Sequence, residues 1–472
     1  MTDLPAAHRS AHLLDLSRPR SVHVANVGGA GMSAVATLLA ESGHRVSGHD
    51  PAASTPFLAM LGPLGVDVTT GDDRAPLPDD LDALVVSTAT PGDDPDVVAA
   101  RGRGVPVVHR AGALGALCRQ RTTLAVAGTH GKTTTSALLT TVLAATGRRP
   151  GWVVGATIPQ LGRSAAWGGD GPLVVEADES DGTFLALGAH SAIVTNVEPD
   201  HLENWGGEGA LRDAFAEFVR ALPGPAVLCA DDAGARELVP VARQAVTYGM
   251  DPSADYRVEG PAAVGTGVRF GLRHGGDLVD VEVPMAPGVH NAANAAGALA
   301  VAHLHGVPLD EGARALAGFQ GVARRFEVRG EAGGVTVVDD YAHLPTEVRA
   351  ALAAAAAGPW ERVVAVFQPH RYSRTAAVWP DFAGAFTAAD LLAVTDVYPA
   401  GEAPRPGVSG KLVVDAVLDA GPWQSVAWLP ALDDVMLWLR GVLRAGDVCL
   451  LLGAGDLTSL APRIVAMLGE RP

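Results

Sequence analysis

The chain is poor in lysine, cysteine and aromatic residues, and it has no long apolar run. Three cysteines, Cys118, Cys229 and Cys449, are scattered through 472 residues. That spacing excludes a disulfide framework and a paired zinc motif, and it suits a reducing cytoplasm. No apolar stretch reaches the ~18 residues needed to cross a bilayer. The polar N-terminal segment lacks the apolar centre of a signal peptide, and its first ~18 residues are expected to be partly disordered. A formal net charge of −17 argues against non-specific nucleic-acid binding. It leaves room for an anionic small substrate, whose binding a few local cations decide. Lysine is the sharpest scarcity: Lys132 and Lys411 stand against 33 arginines.

Lys132 lies in the most informative stretch. Leu124–Ala127 reads as a short apolar strand, Gly128-Thr129-His130-Gly131-Lys132-Thr133-Thr134 as a glycine loop, and Ser136 to Leu143 as a helix. Backbone N–H groups of such a loop cradle phosphates, the lysine reaches the terminal phosphate oxygens, and the threonine hydroxyl holds Mg²⁺. The loop is shorter than the strict P-loop pattern, which has glycine where Val126 stands. A compact ammonium on a flexible stem still suits a phosphate, so ATP or a close relative is the expected ligand.

The length suggests roughly three domains, and strands alternate with helical patterns in three α/β blocks. The first, 1–108, opens with a strand at Val22–Ala25, a loop Gly28-Gly29-Ala30-Gly31-Met32-Ser33 and an Ala/Leu-rich helix. Asn26 takes the first glycine position of the dinucleotide fingerprint, and asparagine tolerates the left-handed turn. Asp50 follows at the spacing of a ribose-binding acid. Read alone, the block suggests NAD; a nucleotide-sugar diphosphate fits the same helix N-terminus.

The second block, 109–326, carries the Lys132 loop. Leu173–Val175 runs into Glu176–Asp181, and Ala192–Val194 runs into Thr195–His201. In open parallel sheets ligands gather at the carboxyl ends of strands, which brings Thr133, Glu176 and His201 within reach of one Mg·ATP. Thr and Glu supply hard oxygen ligands, whereas His201 is a less usual Mg²⁺ ligand and reads equally as a hydrogen-bonded loop histidine. His290, Asn291 and Asn294 open an Ala-rich helix, where the asparagines read as caps or as partners of a base edge.

The third block, 327–472, has strands at Val335–Val338, Val363–Phe367, Leu391–Thr395 and Val448–Leu452. They deliver Asp339–His343, Gln368–Arg374, Tyr398–Glu402 and Gly453–Asp456 to one sheet edge. Four polar clusters at one edge mark a site.

Together these segments resemble the Mur ligase family over nearly the whole chain. Gly28–Ser33 is similar to its UDP-sugar loop and Gly128–Thr135 to its ATP loop. Glu176–Asp181, Thr195–His201, His290–Asn294 and Arg324-Arg325-Phe326 are similar to further shared motifs. Asp339–His343, Gln368–Thr375 and Tyr398–Glu402 resemble the alanine-adding branch. The resemblance implies three domains: an N-terminal Rossmann-like domain, a central P-loop ATPase-like domain with a parallel sheet, and a C-terminal Rossmann-like domain. It implies a cytoplasmic, ADP-forming ligase, monomeric or homodimeric, that joins L-alanine to the lactyl carboxylate of UDP-N-acetylmuramate through an acyl phosphate.

The site residues follow from the same resemblance. Lys132, Glu176, His201 and His343 are the catalytic set, with Thr133, Glu176 and His201 on Mg²⁺. ATP falls to Gly128 through Thr134 with His290, Asn291, Asn294, Arg325 and Asp339. The UDP-sugar falls to Gly28, Gly29, Gly31, Met32, Ser33, Asp50 and His130. L-alanine falls to Tyr341, His343, His370, Arg371 and Arg374, because a guanidinium fork matches a free carboxylate.

The chain departs from the family pattern at Asn26, in place of a glycine, and at Leu344, where a second histidine is usual. Residues 201–250 contain no lysine, so the carbamylated lysine of the later-acting ligases has no counterpart. A tripeptide-recycling ligase shares the first two blocks but not the third. A folylpolyglutamate synthetase leaves the first block unexplained. An NAD-dependent dehydrogenase leaves Lys132 and His201 unexplained, and an inactive scaffold would not need Lys132, Thr133 and Glu176.

Overall fold

The structure, a computed structural model, describes residues 13–55, 57–421 and 425–470; the expectation for the N-terminal segment falls largely outside them. Three sheets organise the chain. The first contains β1 (Ser21–Ala25), β2 (Arg45–Asp50), β3 (Asp67–Thr70), β4 (Ala83–Val86) and β5 (Val107–His109). Its order is β3-β2-β1-β4-β5, all parallel. The chain winds outward one way from β1 and then returns to start the other way at β4. That reversal opens a crevice beyond the β1 and β4 carboxyl ends, where the loop Gly28–Ser33 and the helix Ala30–Glu41 begin.

The second sheet has ten strands in the order β15-β14-β13-β12-β11-β10-β6-β9-β7-β8. They are β6 (Thr123–Ala127), β7 (Gly151–Ile158), β8 (Arg163–Ala166), β9 (Leu173–Glu176), β10 (Ser191–Val194), β11 (Ala226–Cys229), β12 (Ala245–Gly249), β13 (Tyr256–Val264), β14 (Gly267–His274) and β15 (Asp277–Val283). The run from β7 to β13 is parallel, as the block pattern predicts. The sheet is nevertheless mixed, because β8 lies antiparallel on β7. Two-residue turns at Gly265-Thr266 and Gly275-Gly276 reverse the chain between β13, β14 and β15, with both leading glycines in the left-handed region. Only antiparallel neighbours can be joined so tightly.

The third sheet comprises β16 (Glu327–Ala332), β17 (Val335–Asp340), β18 (Arg362–Phe367), β19 (Leu391–Val394), β20 (Val426–Trp428) and β21 (Asp447–Leu452) in the order β16-β17-β21-β18-β19-β20. It is parallel except for β16 against β17. Its strands bury both faces. Val363, Ala365, Phe367, Val448, Leu450 and Leu452 pack on one side with the helices Pro345–Ala356 and Lys411–Ala420. Val364, Val366, Cys449 and Leu451 pack on the other with Leu432–Val442 and Leu460–Gly469. Such two-sided burial produces continuous apolar runs instead of alternation.

The chain is thus a three-domain α/β protein. Its compact units number two: one spans the chain through Glu259 with Gly271–Val281 and Ala293–Ala317, and the other holds Gly260–Phe270, Glu282–Ala292 and the chain from Gly318 onward. All three cysteines are buried and free. No helix among the described residues is long and apolar enough to cross a membrane.

Phe367 is fully buried, with ring centroids 5.0 Å from Phe382 and 5.3 Å from Phe386. Phe367→Ala is expected to cost ~3–5 kcal/mol of stability, checked by urea denaturation.

Candidate active site

The helix Lys132–Ala145 starts four residues earlier than the sequence reading places it, directly at the loop. Its first turn is capped by Gly131 in a left-handed conformation, φ 80°, with no side-chain cap. The N–H groups of that turn are therefore left to a ligand. The loop is braced from the strand β10 side. Asn196 Oδ1 accepts from His130 N at 2.7 Å, and Thr195 Oγ1 donates to His130 O at 2.6 Å. Thr129 and Glu198 exchange hydrogen bonds at 2.9 and 3.1 Å, and His130 Nε2 lies 3.3 Å from Glu198 Oε2. Gly128 has φ 131°, and a Cβ there would collide with the Thr195 hydroxyl. Asn294 Oδ1 lies 2.9 Å from where a Gly131 Cβ would stand.

Lys132 Nζ donates to Gly128 O at 2.6 Å, Thr129 O at 3.0 Å and Glu179 Oε1 at 3.1 Å, with Glu179 Oε2 at 2.8 Å. Burial pushes Glu179 up to about 7 against the pull of Lys132. Burial opposes charge on Lys132 too, but Glu179, Asp178 and Glu176 outweigh it and hold its pKa raised. Thr133 Oγ1 donates to Glu176 Oε1 at 2.9 Å, and Gly155 N donates to Glu176 Oε2 at 2.6 Å. The structure thus brings Thr133 and Glu176 together beneath the loop. His201, with φ 52°, pairs with Asp200 at 3.5 Å. Among the described residues no three His, Cys, Asp or Glu side chains converge as a metal nest. The hydroxyl–carboxylate pair of Thr133 and Glu176 is the hard oxygen donor set that Mg²⁺ takes.

In the first sheet, Gly28 N donates to Asp50 Oδ2 at 2.8 Å and Ala52 N to Asp50 Oδ1 at 2.9 Å. Both Asp50 oxygens thus serve the glycine loop and its own turn. Asn26 adopts φ 53° and its amide donates to Thr90 Oγ1 at 3.3 Å, linking the loops after β1 and β4. The asparagine therefore supplies both the left-handed turn and a tether that glycine lacks. Ser33 N and Oγ are used within the helix by Gly29 O and Ala30 O, and Met32 is buried.

At the edge of the third sheet, Tyr341 lies under two guanidinium groups, Arg324 at 4.9 Å and Arg325 at 5.1 Å. The rings of Tyr341 and His343 are 5.4 Å apart, His343 and His370 5.7 Å, and His370 and Tyr398 5.8 Å. Arg374 Nη1 lies 3.4 Å from His370 Nδ1, and Arg371 N donates to Tyr398 O at 2.8 Å. The structure therefore assembles the expected Tyr341, His343, His370, Arg371 and Arg374. Burial, then the neighbouring His343, Arg374 and Arg371, push His370 down to about 3. His343 Nδ1 lies 3.0 Å from Tyr341 O and 3.3 Å from Glu347 Oε2, and Glu347 also accepts from the N–H groups of His343 and Leu344.

Asp339 is buried, accepting from Thr458 Oγ1 at 2.5 Å and facing Arg324 Nε at 3.4 Å. Asp340, lifted to about 6 by burial against the pull of Arg325, accepts from Phe326 N and Ala342 N. His290 is exposed in the first turn of the helix Val289–Leu304, and Asn291 Nδ2 donates to Pro287 O at 2.7 Å.

Backbone strain marks the same loops. Of the eight described non-glycine residues with positive φ, six (Asn26, His201, Arg324, Phe326, Arg371 and Ala400) fall in the motif segments, and Arg149 and Met285 lie outside them. Such conformations persist where the surrounding structure over-determines them. Sequence reasoning did not single out Glu179, Asn196 or Arg110, whose roles depend on loop paths, nor Glu347, whose place in the first turn of the helix Pro345–Ala356, four residues after His343, is a spacing signal.

Three Mur ligase family models match the chain in succession: the family's catalytic domain over residues 21–122, its middle domain over 126–302, and its glutamate ligase domain over 324–455. The UDP-N-acetylmuramate–L-alanine ligase of Anaeromyxobacter sp. is 44% identical over 456 residues, covering 96% of this chain and 98% of that protein. The ligase of the same name from Thermobifida fusca is 43% identical, covering 95% and 96%. Among solved structures, the UDP-N-acetylmuramate–alanine ligase of Thermotoga maritima superposes with a TM-score of 0.79 at 30% identity, covering 95% of this chain and 98% of that one. A murein peptide ligase from Psychrobacter arcticus gives 0.69 at 25% identity, covering 96% and 99%.

The depressed His370 sets a sign for pH dependence. The folded state binds fewer protons there than the unfolded state, so stability is full above about 6.5 and is lost as pH falls toward about 3. Relative to His370→Asn, the wild type should lose unfolding free energy between pH 6.5 and 5. Urea titrations at several pH values check this; parallel curves would contradict it.

Proposed function

The chain belongs to the Mur ligase family, and from that membership we propose that it is the ATP-dependent ligase that joins L-alanine to the lactyl carboxylate of UDP-N-acetylmuramate. ADP and phosphate are the other products, and the setting is cytoplasmic synthesis of peptidoglycan precursors. The domains on this reading are 1–108 for the sugar nucleotide, 109–326 for ATP and 327–472 for the amino acid. The observation that carries the reading is Lys132 set at an uncapped helix N-terminus, above the Thr133–Glu176 pair.

The chemistry needs two anions to meet. The lactyl carboxylate attacks the γ-phosphate of ATP, forming a C–O–P anhydride and expelling ADP. Lys132 supplies fixed positive charge where the transferred phosphoryl oxygens gain negative charge. Thr133, Glu176 and His201 would hold Mg²⁺, which when bound neutralises phosphate charge. The amine of L-alanine then attacks the acyl carbonyl, and the tetrahedral intermediate expels phosphate.

That amine must arrive neutral. With Nδ1 of His343 donating to Tyr341 O, Nε2 carries the lone pair that can take the ammonium proton. Glu347 holds the residue in place. Arg371 and Arg374 suit the amino-acid carboxylate, and His370, held neutral, adds no competing charge.

A tripeptide ligase is the second reading, because the Psychrobacter arcticus enzyme shares the fold. The identity of 44% to an alanine ligase favours the first. Mixing the pure protein with Mg·ATP and UDP-N-acetylmuramate, and adding L-alanine or the tripeptide separately, decides between them. ADP release should depend on L-alanine; release only with the tripeptide would refute the reading.

Lys132→Ala should lower kcat by about 100-fold or more while keeping the wild-type circular dichroism, since Glu179 can take up a proton when its partner is gone. Near-normal turnover would refute the role of the loop. Arg371→Ala should raise the KM for L-alanine far more than that for ATP, measured in the same assay.

A further inference from the structure

Lys132 has no hydrogen to spare. Its ammonium carries three donors, and three acceptors take them: Gly128 O, Thr129 O and Glu179 Oε1. A phosphate gains a full hydrogen bond from Nζ only by replacing one of them. The two carbonyls belong to a loop that Thr195 and Asn196 hold in place, so they stay. The third partner is a carboxylate, whose charge repels the phosphate that the loop receives. Glu179 is therefore the partner to be exchanged.

Glu179 has no substitute for the lysine. Its side chain is 3% exposed, and among the described residues Lys132 is the one side chain that pairs with it. The other charged group facing it is Asp178 in the same loop, which Arg110 and Lys132 hold ionised. From the strand side, Glu176 faces Lys132. From the segment after His201, the Trp205 indole donates to the Glu179 backbone carbonyl and not to its carboxylate. A carboxylate left alone at that depth, beside another one, loses its charge by taking a proton. Burial already pushes Glu179 up to about 7 while Lys132 is in place.

We propose that Glu179 is the counter-ion that Lys132 gives up when nucleotide binds, and that Glu179 takes a proton from solvent in exchange. This rests on the ATP reading of the loop. The exchange balances: one lysine–carboxylate pair breaks, one lysine–phosphate pair forms, and one proton passes from bulk water to Glu179. Glu179 is then a positioning residue. It holds the ammonium within the loop until a phosphate arrives, and as a neutral acid it leaves the lysine's charge to that phosphate.

Calorimetric titration with Mg·ADP at about pH 8, in buffers of low and high ionisation enthalpy, counts the protons that move. Mg·ADP brings a β-phosphate to the loop without turnover. The wild type should take up close to one proton per ADP, because Glu179 starts ionised at that pH. Affinity should fall as pH rises above about 7, by up to about tenfold per pH unit. In Glu179→Gln the uptake should vanish, and affinity should stay level over the same range. The amide keeps an acceptor for Nζ, circular dichroism checks the variant's fold, and the wild-type proton count stands whatever the variant does. Absence of uptake in the wild type would mean that Lys132 keeps Glu179 while it meets the phosphate, and would overturn the proposal. Uptake that persists in Glu179→Gln would assign the proton to another group and overturn it too. Failure of the wild type to bind Mg·ADP would instead sink the underlying reading of the loop.

Discussion

Charge balance around two cations governs the first compact unit. Lys132 and Arg110 stand among Glu176, the last residue of β9, and Asp178, Glu179 and Asp181 in the loop that follows it. An unpaired charge at such depth costs several kcal/mol, so every member must have partners. Glu176 accepts from Thr133 and Gly155, Glu179 takes Lys132, and Arg110 spans Asp178 and Asp181. Asp178, which burial alone would raise, is held at about 2 by Arg110 and Lys132. The acidic segment thereby fixes the positions of both cations, and its own fold depends on those cations in turn.

The second requirement is that the loops at the strand ends keep their shape. Each is stapled to a neighbour by side-chain to backbone bonds: the Lys132 loop by Thr195 and Asn196, the Gly28 loop by Asp50, the His343 segment by Glu347. Pre-ordered donors cost less reorganisation when charge develops. The strained backbone at Arg324, Phe326 and Arg371 fits the same pattern, because strain of that kind survives only where packing imposes it.

Much of this was legible in the sequence, and the reasons are local. β6, the glycine loop and its helix are contiguous, so one stretch of chain specifies them. The strands of the third domain read as apolar runs because both faces are covered. The identity of the lysine's partner was not legible: four carboxylates lie within Glu176–Asp181, and only the path of the loop after β9 selects Glu179. Arg110 was hidden because its role joins residues far apart in sequence. Asp50 stood at the spacing of a ribose ligand, yet its hydrogen bonds go to Gly28 and Ala52. The β13–β15 meander carries its turn signals at Gly265 and Gly275-Gly276, but the alternation of strands and helices in the rest of the block predicts parallel pairing.

The scarcity of lysine has a practical side. Lys132 is enclosed by its loop and by Glu179. Lys411 opens an exposed helix turn and, among the described residues, pairs with Asp415, four residues on. Amine-directed coupling to lysine under native conditions therefore has a single exposed side chain to find, in the compact unit that does not contain the Lys132 loop. With the α-amino group blocked, a fluorophore or surface tether placed there would be uniform from molecule to molecule, which turns a compositional oddity into a built-in handle for single-molecule observation of turnover.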